Sequence, residues 1–508
     1  MTATCVAAAS PPIDLALVVA SVPAWLVSVA RALAAEGVAS IALAPRGRPE
    51  SDAGTLRAGA RLRASIALDA WIARRILGPA EDAWTPAALA SRRRDGAPAI
   101  VLGLDAPPAP VPDGEAWWFV FGVTGTRYAE ELARGDAVLG IELRARDASG
   151  AEVVLARSRT KAARSLHLSR SRAGWKAAGL LERALRRRAS GALRTPAPAE
   201  PAELPRRAAA GLAARTVRRA FAVAAREDAW RIEWRARTDD ALPDARGWRA
   251  EHALAAPRGS FHADPFLLEH AGRTALFFER WAPALGRGVL SAVELDARGA
   301  PGPARDVVRA EHHLSYPFVF EHEGRAWMIP ETRAARRIEL WRAHAFPFDW
   351  RFERTLMDGV DAVDATWFTH GGLHWLFACC AREHAPRSEE LCAFWSERPF
   401  GPWNAHAANP IVDDPCGARP GGRPFVLGGR LVRPAQDSAL EYGGRVLFRE
   451  VRALDPERYE ERALGVFDPE CLAGVHGAHT YDRSARFEVV DLRATRWRRP
   501  AWTFRRAR

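Results

Sequence analysis

The chain has 508 residues, 48% apolar and 26% charged, the proportions of a globular protein with room for two to four domains. Its net charge of +12 is almost entirely arginine, since lysine occurs only as Lys161 and Lys176. Arginine with abundant alanine and proline follows from a GC-rich genome, and runs such as ALRRR at Ala184–Arg188 read as solvated helix faces, so nucleic acid is excluded as the expected partner.

At the N-terminus, residues 13–34 are apolar enough to suggest a leader or anchor. The stretch lacks a basic flank, carries Asp14 and is broken by Pro23. A buried strand at Leu15–Ala20 and an amphipathic helix at Pro23–Glu36 account for it better, so neither export nor a membrane span is expected. A strand at Ser40–Ala44, a helix around Leu56–Leu77 and a buried strand at Ala99–Leu104 follow. Trp117–Gly122, a hairpin over Ala137–Arg157 turning at Asp147–Gly150, and a helix at Gly174–Arg188 complete an α/β domain over residues 1–189. Residues 190–229 form a linker and helix, opening on the Pro/Ala-rich TPAPAEPAELP, which cannot build a packed element.

From Trp230 the texture changes. Thirteen of the nineteen tryptophans lie from here onward, and aromatic runs alternate with Gly and Pro turns. Stacking those runs reveals a repeat of apolar strand, Gly turn and second strand. Its copies are ADPFLLEHAGRTALFFE (Ala263–Glu279), SYPFVFEHEGRAWMIPE (Ser315–Glu331), VDATWFTHGGLHWLFAC (Val363–Cys379), RPGGRPFVLGGRLVRPAQD (Arg419–Asp437) and a looser HGAHTYDRSARFEVVD from His476. The anchors Asp264, Tyr316, Asp364, Arg419 and His476 recur about every fifty residues, the length of a four-stranded blade. The expected fold is thus an α/β N-terminal domain followed by an all-β five-bladed β-propeller over 230–508. An open β-sandwich is the rival. The six cysteines show no CxxC spacing, so neither a zinc site nor a disulfide framework is expected, and reduced thiols fit a cytoplasmic protein.

Residues that start the inner strands of a propeller converge on one funnel although they lie far apart in sequence. Asp264, Ser315, Tyr316, Asp364, Arg419 and His476 share that register. Two carboxylates from non-adjacent blades facing one cavity is an arrangement glycoside hydrolysis uses, one acting as base and the other tuning or supplying an acid. Each group also has a structural reading. Asp264 before Pro-Phe is a common turn former, and Arg433, Gln436 and Asp437 could be a polar network between blades. His313, His476 and His479 could donate to a ligand or simply pack, and no metal-ligand spacing supports a metal.

The motifs HADPF, HLSYPFVF with MIPET, VDAT, RPGGRPF, RPAQD and GAHTYD resemble the N-terminal propeller domain of plant glucosamine inositolphosphorylceramide transferases, over roughly Ala263–Asp491. Bacterial proteins of that kind also carry the propeller. That domain is in turn similar to the five-bladed fold of glycoside hydrolase family 43, whose members use an Asp base, a second Asp and a Glu acid. The resemblance carries the first two roles to Asp264 and Asp364. Where the acid is expected the chain has Arg419, with Arg423 close behind, and a guanidinium cannot supply a proton at neutral pH. It can clamp a carboxylate or phosphate. Glu331 or Glu279 could substitute as the acid. The α/β domain resembles the degenerate formyltransferase-like (Rossmann-type) domain preceding such propellers in bacterial relatives. No Asn occurs before Asn404, and His167 is the only His before His252, so the formyltransferase catalytic set is missing.

These readings lead to a carbohydrate-binding or carbohydrate-active protein of glycan or glycolipid metabolism, without a cofactor. Asp264, Asp364 and Glu331 are the candidate catalytic residues. His313, Ser315, Tyr316, Arg419, Arg423, Arg433, Gln436, Asp437, His476 and His479 are the candidate ligand contacts, for a sugar that could be acidic or phosphorylated. A glycosidase or sugar transferase using the Asp pair is the first alternative, and a non-catalytic scaffold the second.

Overall fold

The structure is a computed structural model that describes residues 13–18, 24–36, 38–43, 100–104, 107–108, 115–122, 128–146, 150–163, 165–191, 193, 226–237, 240–381 and 386–497. The chain divides into two compact units, Met1–Thr216 and Val217–Arg508.

In the first unit, β1 (Ile13–Val18), α1 (Ala24–Ala35), β2 (Ala39–Leu43), β3 (Ile100–Gly103) and β4 (Glu115–Phe121) are followed by α2 (Ala129–Arg134). The hairpin β5 (Val138–Arg146) and β6 (Glu152–Lys161) and the long α3 (Leu166–Ala189) complete it. The sheet order is β2-β1-β3-β4-β5-β6, parallel through β4 and antiparallel beyond it. Leu26 and Leu33 of α1, Trp117 and Phe119 of β4, and Leu180, Leu181 and Leu185 of α3 share one core. Gly174 is where α3 meets α1, since a Cβ there would lie 2.6 Å from the Trp25 ring. The α3 helix starts eight residues before the expected Gly174, because Ser165 caps it by accepting from the Leu168 amide. The expected helix over 56–77 and most of the Pro/Ala-rich linker lie outside the described residues. Among the described residues no helix is long and apolar enough to cross a membrane.

The second unit is built of five separate antiparallel sheets of four or five strands, the blades of a β-propeller rather than a sandwich. The inner strands of blades 1 to 3 are Phe261–His270, Ser315–His322 and Ala362–His370. In blade 4 the inner position is split between Cys416–Pro420 and Phe425–Leu427, and in blade 5 between Val475–Gly477 and Tyr481–Arg483. Blade 5 also joins the two ends of the unit: β7 (Arg226–Ala236) pairs along its whole length with Phe487–Trp497. This strand begins before the expected boundary at Trp230. Its Trp234 is buried and donates Nε1–H to the Gly299 carbonyl at 3.0 Å, tying blade 5 to blade 1.

The same irregularity recurs in blades 1, 2 and 3. Pairing jumps from Ala263–Glu279 to Phe266–Phe277, from Ser315–Glu331 to Phe318–Ile329, and from Val363–Cys379 to Thr366–Phe377. Two inner-strand residues therefore oppose one on the next strand, which is a β-bulge. The first bulged residue is Asp264, Tyr316 or Asp364, with φ of 53°, 45° and 55°. A non-glycine residue in the left-handed region costs of order 1 kcal/mol or more, so three equivalent ones must be held by their surroundings. What they gain is side-chain direction: each reaches a neighbouring blade instead of following the alternation of its strand.

Gly422 marks the tightest approach in this region. Its φ is 137°, and a Cβ there would sit 1.8 Å from the Tyr481 carbonyl oxygen. Gly422→Ala is therefore expected to cost about 3 kcal/mol or more, read as a lower urea or thermal midpoint. Gly140→Ala, with nothing near its Cβ, is expected to leave that midpoint within about 1 kcal/mol.

Candidate functional site

Asp264 is the hub between blades 1, 2 and 5. Its Oδ2 accepts the Tyr316 amide at 3.1 Å and its Oδ1 accepts the Thr480 hydroxyl at 3.1 Å. His479 Nε2 lies 3.2 Å from Oδ1, and His479 Nδ1 lies 2.5 Å from Asp491 Oδ2. Asp491 in turn accepts the backbone amides of Asp264, His479 and Thr480. Burial pushes the Asp264 carboxyl up from 3.8 to about 7; His479 opposes this, while Glu279, Asp364 and Asp491 add to it. Burial works against a charged His479, yet Asp491 and Asp264 hold its pKa above the ordinary value.

Asp364 is the hub between blades 3 and 4. Arg419 grips it with Nε at 2.5 Å and Nη2 at 3.2 Å, and Gln436 Nε2 donates to it at 3.1 Å. Glu331 completes this side, its Oε2 3.9 Å from Arg419 Nη2. Burial, then the Asp364 charge, raise the Glu331 carboxyl well above its ordinary range despite Arg419, and a hydrogen bond shared with Asp364 requires the proton. Tyr316 links the two hubs: its hydroxyl pairs with Thr366 at 2.9 Å and accepts the Gly422 amide at 3.2 Å.

At the rim, Gly288 donates its amide to His313 Nδ1 at 2.9 Å, which leaves the imidazole proton on Nε2, 3.2 Å from Glu279 Oε1. The His313 side chain is 45% exposed, whereas Arg419 and Glu331 are 15% and 12% exposed, so the cluster opens outward at this end.

The structure brings together Asp264, Asp364, Glu331, His313, Tyr316, Arg419, Gln436 and His479. Ser315 is buried beside them, opposite Glu331 across the strand pair. Four expected contacts lie elsewhere. Arg423 pairs with Asp482 at 3.0 Å and stacks on Phe318, bracing blade 4 against blade 5. Arg433 is buried against Glu461 at 2.7 Å because its side chain faces the outer strands of its own blade. Asp437 caps the turn that follows it, accepting Ala439 N and Arg445 Nε. His476 is exposed, and the position matching the other anchors falls three residues later, on His479, because the fifth inner strand is broken.

Asp491 and Thr480 were missed, and Glu279 was weighed only as a substitute acid. A signal for the two acids existed. Glu279, Glu331 and Asp491 each close a copy of the sequence repeat, the position opposite the residue preceding the bulge in blades 1 and 2. Among the described residues, Asp264, His479 and Asp491 are the one group of metal-ligand type, their donor atoms within 4.8 Å of one another. Each already has protein partners, as given above.

Residues 250–498 match the family model "Glucosamine inositolphosphorylceramide transferase 1, N-terminal". Glucosamine inositolphosphorylceramide transferase 1 of Oryza sativa subsp. japonica is 36% identical over 219 residues, which is 42% of this chain and 29% of that protein. The Arabidopsis thaliana protein of that name is 34% identical over 209 residues, 40% of this chain and 27% of its own. The chain therefore spans less than a third of the length of these curated relatives. Among solved structures, an exo-β-1,3-galactanase from Clostridium thermocellum aligns with a TM-score of 0.33 at 10% identity, covering 40% of this chain and 49% of that one.

Two outcomes test the cluster. Arg419→Met leaves the Asp364 carboxylate buried without its cation and is expected to cost about 3–5 kcal/mol, with Arg419→Met/Asp364→Asn costing less than the sum of the single changes. A carboxyl that holds its proton more tightly when folded stabilises the fold most in acid and loses that contribution as pH rises through its raised value. Between 3.8 and about 7, Asp264 should therefore lower stability with rising pH, and Asp264→Asn should flatten that slope in melts recorded across the range.

Proposed function

We propose that the propeller funnel is a carbohydrate site and that the protein acts in glycan or glycolipid metabolism. The carrying observation is the convergence of five carboxyl groups, Asp264, Glu279, Glu331, Asp364 and Asp491, with Arg419, His313 and His479 around one partly open cluster. Ionised carboxylates accept from hydroxyls, a carboxyl that holds its proton donates to them, and such dense alternation suits a polyhydroxylated ring. Supporting this is the sequence match to proteins named for glucosamine inositolphosphorylceramide.

The charge balance favours a neutral or cationic sugar over an acidic or phosphorylated one. Arg419, Arg423 and Arg433 are each gripped by a buried carboxylate, so an anion would have to displace one. A second reading is catalysis, with Glu331 as proton donor, Asp264 as base and Asp364 tuning Glu331. The upward shift of Glu331 and the Asp264 value of about 7 favour it, since leaving-group protonation needs an acid with a raised pKa and a general base works best poised near neutral pH. The first unit, lacking the Asn–His–Asp set, is read as a docking or ligand-binding module.

The test is titration of the full chain with a glycan array and a series of methyl glycosides, followed by calorimetry. Binding that weakens about tenfold or more in Asp364→Asn supports the reading. No binding, or binding indifferent to Asp364→Asn and Asp264→Asn, overturns it in favour of a scaffold. Turnover of nitrophenyl glycosides that disappears in Glu331→Gln would establish the catalytic reading.

A further inference from the structure

A turn between the second and third strands of blade 4, residues 438–444, carries an aromatic side chain that no repeat pattern singled out. The turn is fastened at every side. Asp437 accepts the Ala439 amide through its side chain and the Gly444 amide through its carbonyl, and Gly444 O accepts the Ala478 amide. Glu441 pairs with Arg493 at 2.9 Å. Gly443 has φ of 62° and lies so close to Trp230 that a Cβ would be 2.7 Å from the indole, so the chain passes between Tyr442 and Gly444 only as glycine.

The result is a fixed ring. The Arg419 guanidinium lies 4.9 Å from the Tyr442 centroid, and His479 meets the ring edge-on at 5.3 Å. His479 in turn packs on Trp230 at 4.2 Å. Tyr442 nevertheless remains 45% exposed. Among the described residues the only other large exposed aromatic is Phe352, on the outermost strand of blade 2. Leaving aromatic surface in water costs apolar burial, and a surface turn needs no such immobilisation for its own sake. Its hydroxyl end lies deeper: burial there, and then the charges of Asp264, Asp364 and Glu279, push the phenol's pKa up against Arg419. A flat, pre-ordered aromatic ring beside a cluster of carboxylates is complementary to one ligand shape, a ring with C–H bonds on its face and hydroxyls at its edge.

We propose that Tyr442 is the stacking platform of the funnel, holding the C–H face of a pyranose ring while that ring's hydroxyls reach the carboxylates beside it. The inference rests on the carbohydrate reading above and adds the residue that selects ring shape. Arg419, covering part of the tyrosine and gripping Asp364, couples the platform to the hydroxyl-binding side, so stacking and hydroxyl recognition are built from adjoining parts. Because tyrosine has few rotatable bonds and this one is already ordered, little entropy is lost when a ring settles on it.

The experiment uses the full chain and methyl pyranosides of gluco, galacto, manno and 2-amino-2-deoxy-gluco configuration, followed by calorimetry and saturation-transfer NMR. Tyr442→Ala is expected to weaken the best-bound pyranoside about tenfold, and Tyr442→Phe to change it by less than about threefold. Saturation in the wild type should be strongest on the C–H protons of one sugar face and lose that bias in Tyr442→Ala. Thermal midpoints check folding, and Tyr442→Leu, which keeps bulk without a π-face, should behave like the alanine variant. If Asp364→Asn weakens binding while Tyr442→Ala and Tyr442→Leu leave it unchanged, the platform is refuted and the carbohydrate site stands. If no pyranoside binds the wild type, both are refuted.

Discussion

The propeller depends on a ring of side-chain hydrogen bonds that passes from blade to blade around its axis. Asp264 of blade 1 holds the Tyr316 amide of blade 2, and Tyr316 reaches Thr366 of blade 3 and Gly422 of blade 4. Asp364 of blade 3 is held by Arg419 and Gln436 of blade 4, Arg423 of blade 4 pairs with Asp482 of blade 5, and Thr480 of blade 5 returns to Asp264. Each blade can pair its own strands, but little of that pairing crosses to a neighbour. Cross-blade bonds, and the strand swap of β7 into blade 5, are what make five sheets one body. Their cost is three residues kept at positive φ, which persist because the bulge geometry and the bonds they make over-determine them.

That arrangement explains why the candidate site is so strongly perturbed. Side chains that fasten blades must be buried, and burial of carboxyl groups near one another raises their proton affinity. Asp264 is thereby pushed up to about 7, and Glu331 is likewise raised. The same groups hold the blades together and form the candidate site, so a variant at either residue mixes the two effects. Comparing stability with ligand binding in the same variants separates them.

The arginines show how charge counting can mislead. A chain of +12 suggests an appetite for anions, and Arg419, Arg423 and Arg433 fall in motifs where a phosphate clamp would be reasonable. In the fold each one meets a buried carboxylate, Asp364, Asp482 or Glu461. A guanidinium already sharing two hydrogen bonds with a carboxylate has little left for a ligand. What is exposed near these pairs is the His313 imidazole and the Tyr442 side chain.

By itself the sequence determined the repeat, its register and therefore the propeller, because apolar alternation and Gly turns are local and recur at a constant interval. The convergence of Asp264, Tyr316, Asp364 and Arg419 followed from that register. Tertiary structure alone decided which polar residues face the axis and which face their own blade. In the broken fifth inner strand the register shifts, so that His479 stands in place of His476, whereas along the unbroken strand Arg430–Asp437 plain alternation turns Gln436 inward and Arg433 outward. Partnership is equally non-local, since the pairing of Arg423 with Asp482, the closure by β7 and the packing of Tyr442 against Arg419 and His479 each join segments that only the closed ring brings within reach.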